Sequence, residues 1–134
     1  MSLELEMYEK FKFYEIDPEE KKKIIDKLKK ILEWNRGVLL AVIYGSFLRD
    51  YPFRDIDIAL YTDPSVDPLN CKFILEKELS EKIGYPVDIR ILNHAPAWFT
   101  LEALESGRIL VDKPEIAEKI YKRALDEVTS LKQS

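Results

Sequence analysis

The chain has 134 residues, enough for one ordinary domain and too few for two. Hydrophobic residues make up 46% of it and charged residues 34%, so a packed core is expected and a disordered or low-complexity chain is excluded. The 25 acidic residues outnumber the 21 basic ones, which argues against direct nucleic-acid binding. No apolar run reaches the roughly 18 residues of a membrane span.

The amino terminus and the cysteine content predict the compartment. Residues 1–6 lack the basic-then-apolar pattern of a signal peptide, and the single cysteine, Cys71, has no partner for an internal disulfide. We therefore expect a cytoplasmic protein. Lys and Glu are abundant while Gln occurs once and Asn three times, a bias typical of thermophile proteins.

Helix and strand patterns alternate along the chain. Asp17 and Pro18 form a typical helix start, and the seven apolar residues over 38–44 predict a strand buried on both faces. The later predicted elements are a strand over 55–61, a helix over 69–83, a strand over 87–92, a helix from Pro96 to Leu104, a short strand over 108–111 and a helix that begins at Lys113-Pro114. This order predicts an α/β (α+β) fold, with a small mixed sheet of three to five strands flanked by helices.

We predict a single domain over 1–134, with its core over about 20–112 and accessory segments over 1–16 and 114–131. Helical spacing assigns two buried helix faces, namely Cys71, Ile74, Leu75, Leu79 and Ile83 on one helix and Ile116, Ile120, Tyr121, Ala124, Leu125 and Val128 on the last. Trp34, Trp98 and Phe99 are interpreted as core or partner-interface residues rather than as platforms on which a base stacks.

Two aspartates, Asp55 and Asp57, are one residue apart on a predicted strand, so their carboxylates point to the same face. With Cα atoms roughly 6–7 Å apart, the two can converge on a hard divalent cation. Without a cation they repel, and the pKa of at least one carboxyl rises. Two acids on the solvent-exposed face of an antiparallel strand would show the same pattern.

Three neighbouring features favour a phosphate and metal site. Gly45-Ser46 ends a buried strand just before the short segment Phe47-Leu48-Arg49, which could open a helix, and such a turn offers backbone N–H groups and a hydroxyl to phosphate. The eight residues between Ser46 and Asp55 are enough to bring the second strand back beside the first. Asp88 lies in an apolar strand, where a carboxylate is costly unless it faces water or a metal. Together these features describe a two-metal phosphoryl-transfer site.

These residues resemble the minimal nucleotidyltransferases (the MNT family) of the DNA polymerase β-like superfamily, whose pattern is Gly-Ser, a spacer, Asp-x-Asp and a third acid on a later strand. The resemblance covers roughly residues 20–112 and implies the polymerase β-like fold. It implies that Gly45 lets the backbone approach a triphosphate and that Ser46 hydrogen-bonds a terminal phosphate oxygen. Arg49 either neutralises the departing pyrophosphate or is a solvated surface residue.

The resemblance also implies a reaction. Asp55 and Asp57 would hold two Mg²⁺ ions, while Asp88 would complete the second metal site and accept the hydroxyl proton. The reaction is an in-line attack on the α-phosphorus of a nucleoside triphosphate, with ATP as the expected substrate and pyrophosphate as the leaving group. His94, the only histidine, is interpreted as structural because Mg²⁺ prefers oxygen ligands. Arg54, beside the Asp-x-Asp pair, is ranked below Arg49 for the same role, and Arg90, which shares a face with Asp88, is a weaker candidate for a substrate contact.

Small members of this family are commonly paired with a HEPN-domain protein. The resemblance implies an antitoxin that adenylylates a tyrosine hydroxyl of a HEPN ribonuclease toxin, as a homodimer or a hetero-oligomer. The family's usual spacer has ten residues rather than eight, and a Gly commonly stands where this chain has Asp50. These departures leave open a second function, an inactive binding module that occludes its partner. A D-x-D phosphatase or glycosyltransferase is disfavoured, because the downstream Thr of the phosphatases is missing and the chain is short for a sugar-nucleotide transferase.

Overall fold

The computed structural model describes residues 12–133, which form four helices and one four-stranded sheet. In chain order the elements are α1 (Pro18–Trp34), β1 (Val38–Tyr44), β2 (Ile56–Thr62), α2 (Pro68–Ile83), β3 (Val87–Ile91), α3 (Ala97–Ser106), β4 (Arg108–Asp112) and α4 (Ile116–Gln133). The predicted α/β fold and its element order are confirmed. Most of the predicted accessory segment over 1–16 lies outside the described residues. No helix within 12–133 is long and apolar enough to cross a membrane.

The strands are ordered β3-β2-β1-β4. β1 runs antiparallel to both β2 and β4, while β2 and β3 are parallel. In this register Tyr44 of β1 lies opposite Asp57 of β2, which in turn lies opposite Asp88 of β3. Since residues opposite one another project to the same face of a sheet, these three side chains form one row across three strands.

Each face of the sheet has its own apolar layer. The larger core lies between the sheet and helices α1 and α2, and includes Leu28, Leu32, Ile43, Ile58 and Leu75, all fully buried. A smaller cluster covers the other face beneath α3 and α4, and contains Leu40, Val42, Ala59, Leu92, Ala103 and Ala117. The alternation of side chains along β2 places Asp57 on the same face as Ala59. The predicted acidic row therefore belongs to the α3–α4 side of the sheet.

The helix starts follow from their capping residues. Asp17 accepts a hydrogen bond from the Glu20 N–H at 2.8 Å, with Pro18 in the first turn, as the sequence predicted. Asp67 caps α2 in the same way through the Leu69 N–H at 3.2 Å. Gly84 ends α2 in the left-handed conformation, with φ of 87°.

Two expectations about packing are wrong. Ile74 and Leu125, which were assigned to buried helix faces, are 55% and 44% exposed. On α2 only the narrower stripe of Cys71, Leu75 and Leu79 is buried, because this helix packs at the β3 edge of the sheet. Trp34 and Trp98 are 87% and 62% exposed, so of the two expected locations the core is excluded for both, and a partner interface stays a prediction.

The last helix begins at Ile116 rather than at Lys113-Pro114. The Lys113 N–H still bonds to the Leu39 carbonyl at 2.7 Å, which continues the sheet beyond β4. Glu115 then adopts a left-handed φ of 58°, which breaks the backbone path of the expected helix start. Asp112 accepts a hydrogen bond from the Ala117 N–H at 3.0 Å and so caps a helix that begins two residues later than Pro114 indicated.

Candidate active site

Three carboxylates meet at one end of the sheet. Asp57 and Asp88 are cross-strand neighbours in the parallel β2–β3 pair. Asp55 directly precedes β2, and its carboxyl lies near enough to hydrogen-bond that of Asp57. The structure thus brings together the three acids that the sequence singled out, with Asp55 just outside the strand rather than in it.

The acidic cluster changes the protonation of its members. Burial raises the pKa of Asp57 to about 7, and the charges of Asp55 and Asp88 and a hydrogen bond with Asp55 add to the rise, while Arg90 opposes it. Burial also raises the pKa of Asp88, against the opposing charge of Lys72. Ionising these carboxylates therefore costs free energy, and a bound cation would lower that cost.

The residue types and their charge suit a divalent cation. Carboxylate oxygens are the ligands that Mg²⁺ prefers, and the raised pKa values of Asp57 and Asp88 show that burial, with the neighbouring acids, disfavours their charged forms. Within residues 12–133, no group of three or more Asp, Glu, His or Cys side chains is already arranged to hold a metal ion. Asp55, Asp57 and Asp88 are the residues that could hold Mg²⁺ at this end of the sheet.

The turn after β1 is built on Gly45. This residue has φ of 83°, and a Cβ added to it would lie 2.7 Å from Oδ2 of Asp57. Both facts require glycine. Ser46 then opens a single 3-10 turn, Ser46–Leu48, instead of the longer helix that the sequence allowed. The Gly45-Ser46 backbone consequently lies directly against the acidic cluster, where it can approach a phosphate closely.

Arg49 and the chain that follows it reach β2 through a folded segment. The Arg49 carbonyl accepts a hydrogen bond from Nζ of Lys21 at 2.7 Å, and the Arg49 side chain is exposed. Phe53 is fully buried, with its ring edge-on to that of Phe47 at 4.9 Å, and its backbone pairs with Tyr14. The buried Phe53 therefore fixes the eight-residue spacer, which in turn fixes the backbone position of Asp55.

Two residues of α2 that sequence reasoning missed flank the third acid. Nζ of Lys72 lies 3.9 Å from Oδ1 of Asp88 and 3.1 Å from Oε2 of Glu76. Lys72 also donates to the Ile89 carbonyl, and Glu76 accepts from the Ile89 N–H at 2.8 Å. The pair thereby bonds to the free edge of β3. Its Lys-x-x-x-Glu spacing on the helix before this strand was the available signal.

A pocket of about 260 Å³ opens beside the acids. Its walls are Tyr44, Asp57, Arg90, Trp98, Phe99, Glu102 and Ala103. Burial, together with the charge of Asp57, raises the pKa of Tyr44, which keeps its hydroxyl protonated. Arg90 lies on the face of the acids, as predicted. His94 does not, because it lines a separate pocket of about 270 Å³ with Tyr61 and Arg123. Arg54 is exposed.

A β3-β2-β1-β4 sheet, with a Gly-Ser turn against an acidic row, defines the class of polymerase β-like nucleotidyltransferases. The family model for Polymerase beta, Nucleotidyltransferase matches residues 26–116, and the chain belongs to this family. No curated protein matches the sequence significantly.

Solved structures share the fold. A chain of the MntA-HepT toxin-antitoxin superimposes with a TM-score of 0.66 at 19% identity, covering 84% of this chain and 90% of that one. A tri-AMPylated Shewanella oneidensis HEPN toxin in complex with MNT antitoxin gives 0.67 at 19% identity, with the same coverage. A toxin-antitoxin with AMP-PNP gives 0.62 at 20% identity, again covering 84% and 90%. The polymerase β-like fold that the sequence resemblance implied is therefore confirmed.

Proposed function

We propose that this protein is a Mg²⁺-dependent nucleotidyltransferase that moves AMP from ATP onto a tyrosine hydroxyl of a HEPN-domain partner, and that it acts as the partner's antitoxin. The observation that carries the proposal is the position of Asp57. This carboxylate is in register with Asp88 and touches the Gly45 turn, so phosphate-binding and acidic groups share one site.

Different residues of the site have different roles in the proposed reaction. The Gly45-Ser46 turn binds the terminal phosphates, while Asp88, whose side chain is 40% exposed, faces the acceptor. The acceptor oxygen forms a bond to the α-phosphorus. The bond from that phosphorus to the bridging oxygen breaks, so pyrophosphate leaves with the electron pair, and the hydroxyl proton passes to Asp88. Asp55, Asp57 and Asp88 would hold Mg²⁺, which would supply positive charge to stabilise the entering and leaving oxygens.

The substrate and partner are proposed from the structural neighbours. The similar chains belong to toxin-antitoxin complexes, one with an AMPylated HEPN toxin and one with AMP-PNP. Their similarity extends over 84% of this chain and 90% of those chains. Arg49 directly follows the Ser46–Leu48 turn, and we assign it to neutralising the leaving pyrophosphate.

The proposal is tested by incubating the protein with labelled ATP, Mg²⁺ and the HEPN-domain protein encoded beside it. We expect label on a partner tyrosine, lost at least 100-fold in Asp57→Asn. Asp26→Asn, which changes an exposed carboxylate of α1, serves as the control and should label normally. Undiminished labelling by Asp57→Asn would refute the mechanism.

A second candidate is a binding module that neutralises its partner by occlusion. It is favoured by the eight-residue spacer and by Asp50, which stands where a Gly is usual in the family. Asp57→Asn separates the two functions. If this variant still binds and still neutralises the partner, occlusion is the function; if it binds without neutralising, transfer is.

A further inference from the structure

The position of the pocket beside the acidic row, relative to the expected reaction axis, indicates which part of the substrate it would hold. The row itself runs across the strands, from Tyr44 and the Gly45 turn through Asp57 to Asp88. In an in-line displacement the entering and leaving groups lie on opposite sides of the phosphorus. Leaving phosphates on Gly45 and an entering hydroxyl at Asp88 therefore place the reaction axis along this row.

The nucleoside, which stays bonded to the α-phosphorus, must therefore extend to one side of that axis. The pocket does run sideways, because it extends from Asp57 along the strands toward Arg90. Arg90 lies opposite Ala59, in the next row of the sheet, and its side chain helps to line the pocket. The opposite wall comes from α3, where Ala103 takes up little space.

The pocket wall supplies the chemistry of base recognition. Trp98 is 62% exposed at the start of α3, yet its ring is held edge-on to Phe99 at 5.9 Å. Phe99 is itself fixed by the Tyr44 ring at 5.5 Å and by the Arg90 guanidinium at 5.8 Å. An exposed indole held in this way offers a face on which a base can stack. Glu102 adds a hydrogen-bond acceptor at the same wall.

We propose that this pocket binds the base of the nucleoside triphosphate, stacked on Trp98, with the Glu102 carboxylate accepting from an exocyclic amine such as that of adenine. The inference rests on the proposed nucleotide transfer. It replaces the sequence interpretation of Trp98 as a core or interface residue.

The test measures binding of two probes by titration calorimetry in Mg²⁺. AMP-PNP carries a base and a triphosphate, whereas inorganic tripolyphosphate carries phosphates alone. We expect Trp98→Ala to weaken AMP-PNP binding roughly 10-fold, within the range of a lost base–aromatic stack, and to leave tripolyphosphate binding unchanged. Trp34→Ala removes the other exposed tryptophan, at the end of α1, and should leave both affinities unchanged.

Each other outcome would contradict either the base pocket or the proposed nucleotide transfer. Unchanged AMP-PNP binding in Trp98→Ala overturns the base pocket, and an accompanying rise in KM for the protein acceptor would assign the pocket to the acceptor instead. Equal weakening of both probes also overturns it, because a general disturbance of the site would then be the cause. If the wild-type protein binds neither probe, the proposed nucleotide transfer itself fails.

Discussion

The Gly45 backbone and the Asp57 carboxylate are in such close contact that a methyl group at position 45 would lie 2.7 Å from Oδ2 of Asp57. The Gly45-Ser46 turn and the acidic row therefore cannot move independently of each other. A change in the turn must displace the carboxylate, and a side chain at position 45 also occupies the space in which the backbone would meet a phosphate.

Gly45→Ala should reduce nucleotide transfer at least 100-fold and weaken tripolyphosphate binding by a similar factor. The matched control is Gly84→Ala. Gly84 has nearly the same φ, 87° against 83°, but nothing lies within 4 Å of its added Cβ. Both variants should lose about 1–2 kcal/mol of stability from the strained backbone. Loss of activity in Gly84→Ala to the same degree would show that strain, rather than contact with Asp57, is responsible.

The raised pKa of Asp57 makes the stability of the protein depend on pH. Its ordinary value of 3.8 becomes about 7 in the folded state, so between these values the folded chain holds more protons than the unfolded chain. The free energy of unfolding therefore falls as pH rises from about 4 to 7. The raised pKa of Asp88 acts in the same direction.

Urea unfolding in EDTA should accordingly give a stability at pH 8 that is lower than at pH 5 by on the order of 2 kcal/mol. In Asp57→Asn the difference should shrink, and the variant should be more stable than the wild type at pH 8. Added Mg²⁺ should restore stability to the wild type alone. A wild-type protein that gains stability between pH 5 and 8 would contradict the assigned cause.

Lys72 should contribute to stability through the edge of β3. Lys72→Met breaks its contacts with the Ile89 carbonyl, with Glu76 and with Asp88, and leaves Glu76 without its cation. We expect a loss of about 1–2 kcal/mol in urea unfolding. Lys82→Met is the matched control, because Lys82 forms an exposed pair with Glu78 four residues away, at 2.8 Å, whose loss should cost about 0.5 kcal/mol or less. Equal losses in the two variants would show that Lys72 is an ordinary surface lysine.

Much of this site follows from local sequence, and the rest depends on contacts between distant segments. Asp55, Asp57, Gly45 and Ser46 are recognisable because their spacing is read along one hairpin. Lys72 cannot be recognised in this way, since its contacts form only when α2 packs along β3.

The errors have the same origin. Periodicity gave Ile74 and Leu125 an apolar helix face, but only the packing partners determine how wide a face is covered. The start of α4 was misplaced because Pro114 favours a helix start, whereas the left-handed Glu115 reflects how the chain leaves the sheet. The exposure of Trp98 likewise depends on the position of α3, which no local pattern reports.

The eight-residue spacer should tolerate change at its exposed positions but not at Phe53. This ring is fully buried against Phe47, at 4.9 Å, and against Tyr85, at 5.5 Å. Phe53→Ala should cost about 3–5 kcal/mol of stability, typical of a large aromatic lost from a core. Tyr51→Ala changes an exposed ring in the same segment and should cost about 0.5 kcal/mol or less.

Phe53→Leu provides the informative intermediate, because it keeps the segment apolar while losing part of the ring packing. It should fold with a loss of about 1–2 kcal/mol. Since Phe53 lies two residues before Asp55, the loosened anchor should also lower the affinity for Mg²⁺-AMP-PNP several-fold, while the affinity of Tyr51→Ala stays unchanged. A Phe53→Leu variant that is less stable but binds Mg²⁺-AMP-PNP with wild-type affinity would show that the spacer supports the core without positioning Asp55.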